Sequence, residues 1–258
     1  MNYLIEGLQG SGKSTLAARM AARHPECAAV REGDYSPIEL AWCARVDGAE
    51  YARILAQYPD LRAQIAENTV AEGGSRVICY TKVKTGNDAF YRDLERFEIY
   101  NGRIPWEAFR ALRLERYARW DQDGTISECA LLQNSVEDMI LFRQMTDEEI
   151  VAFYREVRAA LEGKPVRILY LRTEDIRESL GVVRRERTDA KGEEVWFRML
   201  CGFFDDAPWA KRRGLSGEDA LFGHLAHRQA LELRICREVF PDCSTVLPSK
   251  GWREEDLP

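Results

Sequence analysis

Residues 7–15 read GLQGSGKST. Gly7, Gly12, Lys13 and Ser14 occupy the fixed positions of the pattern G-x-x-x-x-G-K-[ST], and the flanks agree with it. Tyr3, Leu4 and Ile5 form a short apolar run, and 16–23 (LAARMAAR) reads as a helix. In such a strand–loop–helix, backbone N–H groups point inwards around nucleotide phosphates, and the helix N-terminus adds partial positive charge. That chemistry assigns Gly7, Leu8, Gln9, Gly10, Ser11, Gly12, Lys13, Ser14 and Thr15 to phosphate binding. The Lys13 ammonium is expected on the β- and γ-phosphate oxygens and the Ser14 hydroxyl on Mg²⁺.

Phosphoryl transfer also needs a metal, cations on the moving phosphate, a positioned acceptor and exclusion of water. Glu128, in the segment TISECA, is the carboxylate expected to join Ser14 at the metal, with a surface strand-end glutamate as the competing reading. VREGDY over 30–35 places Glu32 and Asp34 either side of Gly33. Either carboxylate can take the proton of an attacking hydroxyl or orient it, and Asp34 is the favoured one. A solvated acidic loop is the alternative. Arg184, Arg185 and Arg187 lie in VVRRERTD, where a mobile arginine-bearing lid is expected. Planar, permanently charged guanidinium groups suit phosphate, although a basic face paired with Glu186 and Asp189 fits the same residues.

The elements that must position these groups alternate between short β-like runs and longer helical stretches, which implies a mostly parallel sheet. Strands are expected at 3–6, 27–31, 125–129, 166–171 and 243–247. Residues 76–83 also have strand composition, with no clear place in the main sheet. Helices are expected over 47–69 with a break at Pro59, and over 88–100, 105–120, 133–144, 147–161, 173–180 and 216–240. Helical excursions therefore follow the second strand and the 166–171 strand. In a doubly wound sheet such insertions emerge near the ligand-binding strand ends.

The 258 residues suit one α/β domain with elaborations. A net charge of −6 argues against nucleic acid as the main partner, whose binding needs a basic surface. Seven cysteines without a C-x-x-C pair read as free thiols in a reducing cytoplasm. No apolar run approaches the ~20 residues needed to span a bilayer, and no cleavable leader is expected before a loop so near Met1. The oligomeric state is not encoded in any pattern here.

The loop, the acidic VREGDY segment, the SEC segment followed by a helix, and the late arginines follow the order of P-loop nucleoside and nucleotide kinases. The chain resembles deoxynucleoside kinases and thymidylate kinase within that group. Glu128–Cys129–Ala130 stands where those proteins carry Glu/Asp-Arg-Ser, with cysteine in place of the arginine. The resemblance implies a three-layer P-loop NTPase fold in a single domain. A helical insertion at about 36–121 would cover the acceptor, and a lid at about 173–215 would close on the nucleotide. It further implies ATP and Mg²⁺, and a small-molecule acceptor such as a nucleoside, a nucleotide or a hydroxylated natural product. The same loop also serves regulatory NTPases that act through a protein partner, and that alternative stays open.

Overall fold

The computed structural model describes residues 1–189 and 191–257. Ala190, within the expected lid, lies outside the described residues. The strands are β1 (Asn2–Gly7), β2 (Ala28–Val30), β3 (Ala44–Asp47), β4 (Thr69–Glu72), β5 (Ser75–Ile78), β6 (Thr125–Glu128), β7 (Val166–Arg172) and β8 (Ser244–Pro248). The helices are α1 (Lys13–Arg23), α2 (Gly48–Gln57), α3 (Arg62–Glu67), α4 (Asp88–Glu95), α5 (Trp106–Arg119), α6 (Gln133–Leu141), α7 (Asp147–Ala160), α8 (Ile176–Glu186), α9 (Val195–Asp206), α10 (Pro208–Arg213) and α11 (Gly217–Val239). The chain divides into two compact units. One combines Met1–Ala29 with the chain from Asp121 onwards; the other is Val30–Trp120.

The first unit is built on a five-stranded, all-parallel sheet in the order β2-β6-β1-β7-β8. Every residue of β1 is buried, as befits a central parallel strand covered on both faces. Its register runs from Asn2 opposite Val166 to Gly7 opposite Leu171 on β7, and Ile5 stands opposite Glu128 on β6. Side chains alternate across the sheet. Tyr3 and Ile5 pack with Leu16, Ala17 and Met20 of α1, together with Leu169, Leu171 and Leu247. On the other face Glu6 accepts hydrogen bonds from the amides of Leu131 and Gln133 at 2.7 and 3.1 Å, and Tyr170 reaches Glu232 on α11 at 2.6 Å. Helices therefore cover both faces of an α/β sheet.

The second unit contains a three-stranded antiparallel sheet, β3-β5-β4, as well as helices, so the segment expected to be a helical insertion is mixed. A two-residue Gly73–Gly74 turn joins β4 to β5, with Glu72 opposite Ser75 and Gly73 at φ +53°. The φ > 0 requirement of tight hairpins explains the glycine there. One core joins Ala44, Val46 and Ile78 to Ile54, Ile65, Phe90 and Leu94; the other joins Cys43, Val77 and Cys79 to Leu40, Ile99, Tyr100 and Phe109. Tyr58, Tyr80 and Phe90 are thus packing residues, whereas Trp42 is 46% exposed.

Several boundaries differ from the sequence reading. The strand-like run at 76–83 belongs to the small sheet and gives way to a 3-10 turn over Tyr80–Lys82. The helix expected over 88–100 stops at Glu95. The helix expected at 173–180 instead starts at Ile176 and continues to Glu186, which carries Arg184 and Arg185 into its last turn.

Candidate functional site

Three glycines shape the loop between β1 and α1, and for different reasons. Gly7 (φ +142°), Gly10 (φ +79°) and Gly12 (φ +91°) all adopt conformations that side-chain-bearing residues avoid. A Cβ on Gly7 would stand 2.7 Å from the Leu171 carbonyl oxygen and 2.8 Å from Ser11 Oγ. On Gly10 it would stand 2.8 Å from Val183 Cγ2, whereas on Gly12 it would meet only the Ser249 carbonyl oxygen, at 3.6 Å. The loop is therefore pressed between the end of β7, helix α8 and the turn after β8.

Lys13 opens α1 and is almost wholly buried. Its ammonium donates to the carbonyls of Gly7 at 3.0 Å and Leu8 at 2.8 Å, curling back over the loop. The N-terminus of α1 has no side-chain cap and no acidic residue in its first turn. Its first amides consequently lack intrahelical partners and favour an anion. Ser11 Oγ is buried without a hydrogen-bond partner. Ser14 and Thr15 are exposed at the mouth of the same turn.

Glu128 ends β6, beside the last inner residues of β1, and is 9% exposed. Among the described residues its carboxylate has no hydrogen bond or ion pair. Cys129, which follows it, adopts a left-handed backbone at φ +54° and donates its amide to the Ile5 carbonyl at 3.1 Å. A nearly buried carboxylate without a protein partner is costly unless a cation or donor meets it. Ser14 and Glu128 thus offer the oxygen donors that Mg²⁺ prefers.

A buried polar network underlies the loop, and no sequence periodicity announced it. Arg228 on α11 is fully buried; it donates to Gln9 Oε1 and to Glu137 Oε2, each at 2.7 Å, and lies 3.3 Å from Glu232. His224 joins Glu137 at 2.9 Å. Burial alone would raise the Glu137 carboxyl, but the charges of Arg228 and His224 outweigh it and hold it down at about 2. Glu6 has no such cation. Burial lifts its carboxyl from 4.5 to about 7, against the amide hydrogen bonds that oppose the rise. The i, i+3 histidines His224 and His227 are partnered by Glu137 and Asp147. The signal available in the sequence was only the placing of Arg228 and Glu232, four residues apart, on an otherwise apolar helix stripe.

The three arginines separate in their roles. Helix α8 is tied to the loop by Ser179 Oγ, which donates to the Gly10 carbonyl at 2.9 Å. Arg184, beyond it, is engaged by Glu194 at 2.6 Å and Glu218 at 2.9 Å and stacks 3.9 Å over Phe197. Arg187 lies over Trp196. Arg185 is exposed and has no ion pair among the described residues.

Glu32 and Asp34 belong to the second unit. Asp34 Oδ2 accepts from the Arg31 amide at 2.9 Å, and Oδ1 pairs with the Lys82 ammonium. Glu32 Oε1 accepts from Trp42 Nε1 at 2.9 Å. Both acids are therefore held by local partners.

Among the described residues no helix is long and apolar enough to cross a membrane, and no cluster of three His, Cys, Asp or Glu side chains is arranged around a metal. The chain matches no protein-family model and none of the curated proteins compared with it. What the loop can bind therefore follows from its chemistry.

Two outcomes test this geometry. Gly7→Ala should lower the melting temperature more than Gly12→Ala, because only the former adds a backbone clash to the strain of positive φ; equal shifts would contradict the packing described. Glu6 in the folded chain binds its proton more tightly than at 4.5, so its contribution to stability is whole below about 4.5 and is lost as pH rises through about 7. Glu6→Gln should remove up to about 3 kcal/mol of that pH dependence. Denaturant unfolding at pH 5 and pH 8 measures it, and an unchanged difference between the two pH values would show that Glu6 does not titrate in this window.

Proposed function

We propose that the protein is an ATP-dependent phosphotransferase of the P-loop kinase type acting on a small-molecule acceptor. The observation that carries this reading is the complete GLQGSGKS motif on a strand–loop–helix whose lysine curls over the loop beside an uncapped helix N-terminus. A turn that bound nothing would have no reason to combine positive φ at Gly7, Gly10 and Gly12 with a helix N-terminus that carries no side-chain cap.

Residues and chemistry fit together as follows. Bound MgATP supplies the transferable phosphoryl group and the metal that draws charge from it. Lys13 releases the Gly7 and Leu8 carbonyls to place its ammonium on phosphate oxygens. Gly10 and Gly12 present backbone N–H groups, the Ser11 amide must first leave the Leu8 carbonyl, and the Ser11 hydroxyl gains the partner it lacks. Ser14 and Glu128 supply oxygen to the metal. Arg185 and Arg187 have no ion pair among the described residues, Arg187 lying over Trp196, whereas Arg184 must first leave Glu194 and Glu218 to reach a phosphate. Glu32 or Asp34 accepts the proton of the acceptor hydroxyl; Asp34 can do so only after parting from Lys82. The acceptor class ranges over nucleosides, nucleotides and hydroxylated natural products.

ADP release from MgATP, measured alone and with pooled acceptors of these three kinds, tests the proposal. Release that rises with one pool is expected; steady release indifferent to acceptor would favour a regulatory NTPase instead. Lys13→Ala should lower turnover at least ~10²-fold through loss of a preorganised electrostatic contact, and a fully active variant would overturn the reading. Asp34→Asn should lose turnover yet still bind ATP, and unchanged turnover would transfer the base role to Glu32. Ser14→Ala and Glu128→Gln should each raise the magnesium concentration needed for half-maximal turnover; identical titrations would remove both from the metal.

A further inference from the structure

Cys43 and Cys79 meet inside the second unit. They stand one residue beyond the registered pair Ala44–Ile78, at matching ends of β3 and β5. The Cys43 thiol donates to Cys79 Sγ across 3.6 Å. Cys43 is fully buried and Cys79 is 3% exposed, in a core with Leu40, Val77, Tyr100 and Phe109. Residues directly opposite on antiparallel strands have their Cβ atoms about 5 Å apart. Closing the sulfurs to about 2.05 Å therefore asks for side-chain rotation and a small approach of the strands, not refolding.

Cys43 adjoins Trp42 and Cys79 opens the turn that carries Lys82, and each of these two residues holds one of the acids. Trp42, next to Cys43 and in a left-handed backbone at φ +64°, donates its indole N–H to Glu32. The turn that follows Cys79 is anchored by the Lys82 amide on the Cys79 carbonyl at 3.0 Å, and the Lys82 ammonium pairs with Asp34. We propose that Cys43 and Cys79 form a peroxide-sensitive dithiol, whose closure to a disulfide shifts the anchors of Glu32 and Asp34 together.

The chemistry balances with hydrogen peroxide as oxidant. The Cys79 thiolate attacks one peroxide oxygen, breaks the O–O bond and becomes a sulfenic acid, releasing hydroxide. The Cys43 sulfur then attacks the sulfenic sulfur and expels its oxygen, the thiol proton leaving with it as water. In sum, two thiols and one peroxide give a disulfide and two waters. The hydrogen bond from Cys43 and the nearby Lys82 charge favour the Cys79 thiolate, holding that thiol below its ordinary value against the effect of burial.

The test treats the whole protein with hydrogen peroxide and maps its peptides by mass spectrometry before and after a dithiol reductant. The expected product is a reducible cross-link between Cys43 and Cys79. Free thiols at both positions, or oxidation of Cys79 to a sulfinic acid without a cross-link, would overturn the proposal. A second readout is Trp42 emission, taken as the difference between the wild type and Trp42→Phe. It should change on oxidation and revert on reduction, and should stay constant in Cys43→Ala. Cys79→Ala serves the same purpose should Cys43→Ala fail to fold. Constant emission in a cross-linked wild type would overturn the link to Glu32. The effect on phosphoryl transfer rests on the kinase reading and is read separately. A cross-link with shifted emission but unaltered ADP release supports the dithiol and counts against the acceptor role of the two acids.

Discussion

Arg228 has no access to solvent, and that constraint reaches most of the loop's surroundings. A guanidinium cannot shed its charge, so its burial requires acids and acceptors in fixed places. Glu137 on α6, Glu232 on α11 and the Gln9 side chain meet that need. One residue of the glycine-rich loop is thereby fastened to a helix more than two hundred positions away in sequence. Removing the arginine would take from Glu137 and Glu232 their shared guanidinium partner and leave Glu137 with His224 alone, and breaking a buried ion pair in this way costs roughly 3–5 kcal/mol.

The neighbouring Glu6 shows the same principle with the opposite balance. It lies on the same face of the sheet but is served by amides from the β6–α6 turn instead of a guanidinium. Burial then dominates, and its carboxyl is held up at about 7, whereas that of Glu137 is held down at about 2. Two glutamates beneath one loop are thus set apart by whether a cation shares their pocket. Gln9 of the loop is thus held by a floor whose hydrogen bonds are directional.

Much of the architecture was legible in the sequence. β1, β7 and β8 were apolar runs between turn signals, and α1, α5 and α7 were announced by their helical composition. The strand, loop and helix over 2–23 were legible too, and the positive φ of Gly7, Gly10 and Gly12 accounts for the glycines there. The small antiparallel sheet was not. Its strands ARVD and TVAE are four residues long and carry charges, so alternation has too few positions to stand out from a helix flank. The polar floor was also hidden, since Arg228 and Glu137 are ninety-one positions apart and only the fold brings them within hydrogen-bond reach. Sequence position alone likewise gave the three arginines equal standing, whereas packing binds Arg184 to two glutamates and leaves Arg185 exposed.

The central claim is that residues 7–15 bind the phosphates of a nucleotide. Amide hydrogen exchange of the whole protein, with and without saturating MgADP, tests it most directly. The account predicts slowed exchange in peptides covering the loop and the first turn of α1, and loss of that protection in Lys13→Ala. Exchange in the loop that is indifferent to MgADP and MgATP at millimolar concentration would contradict it.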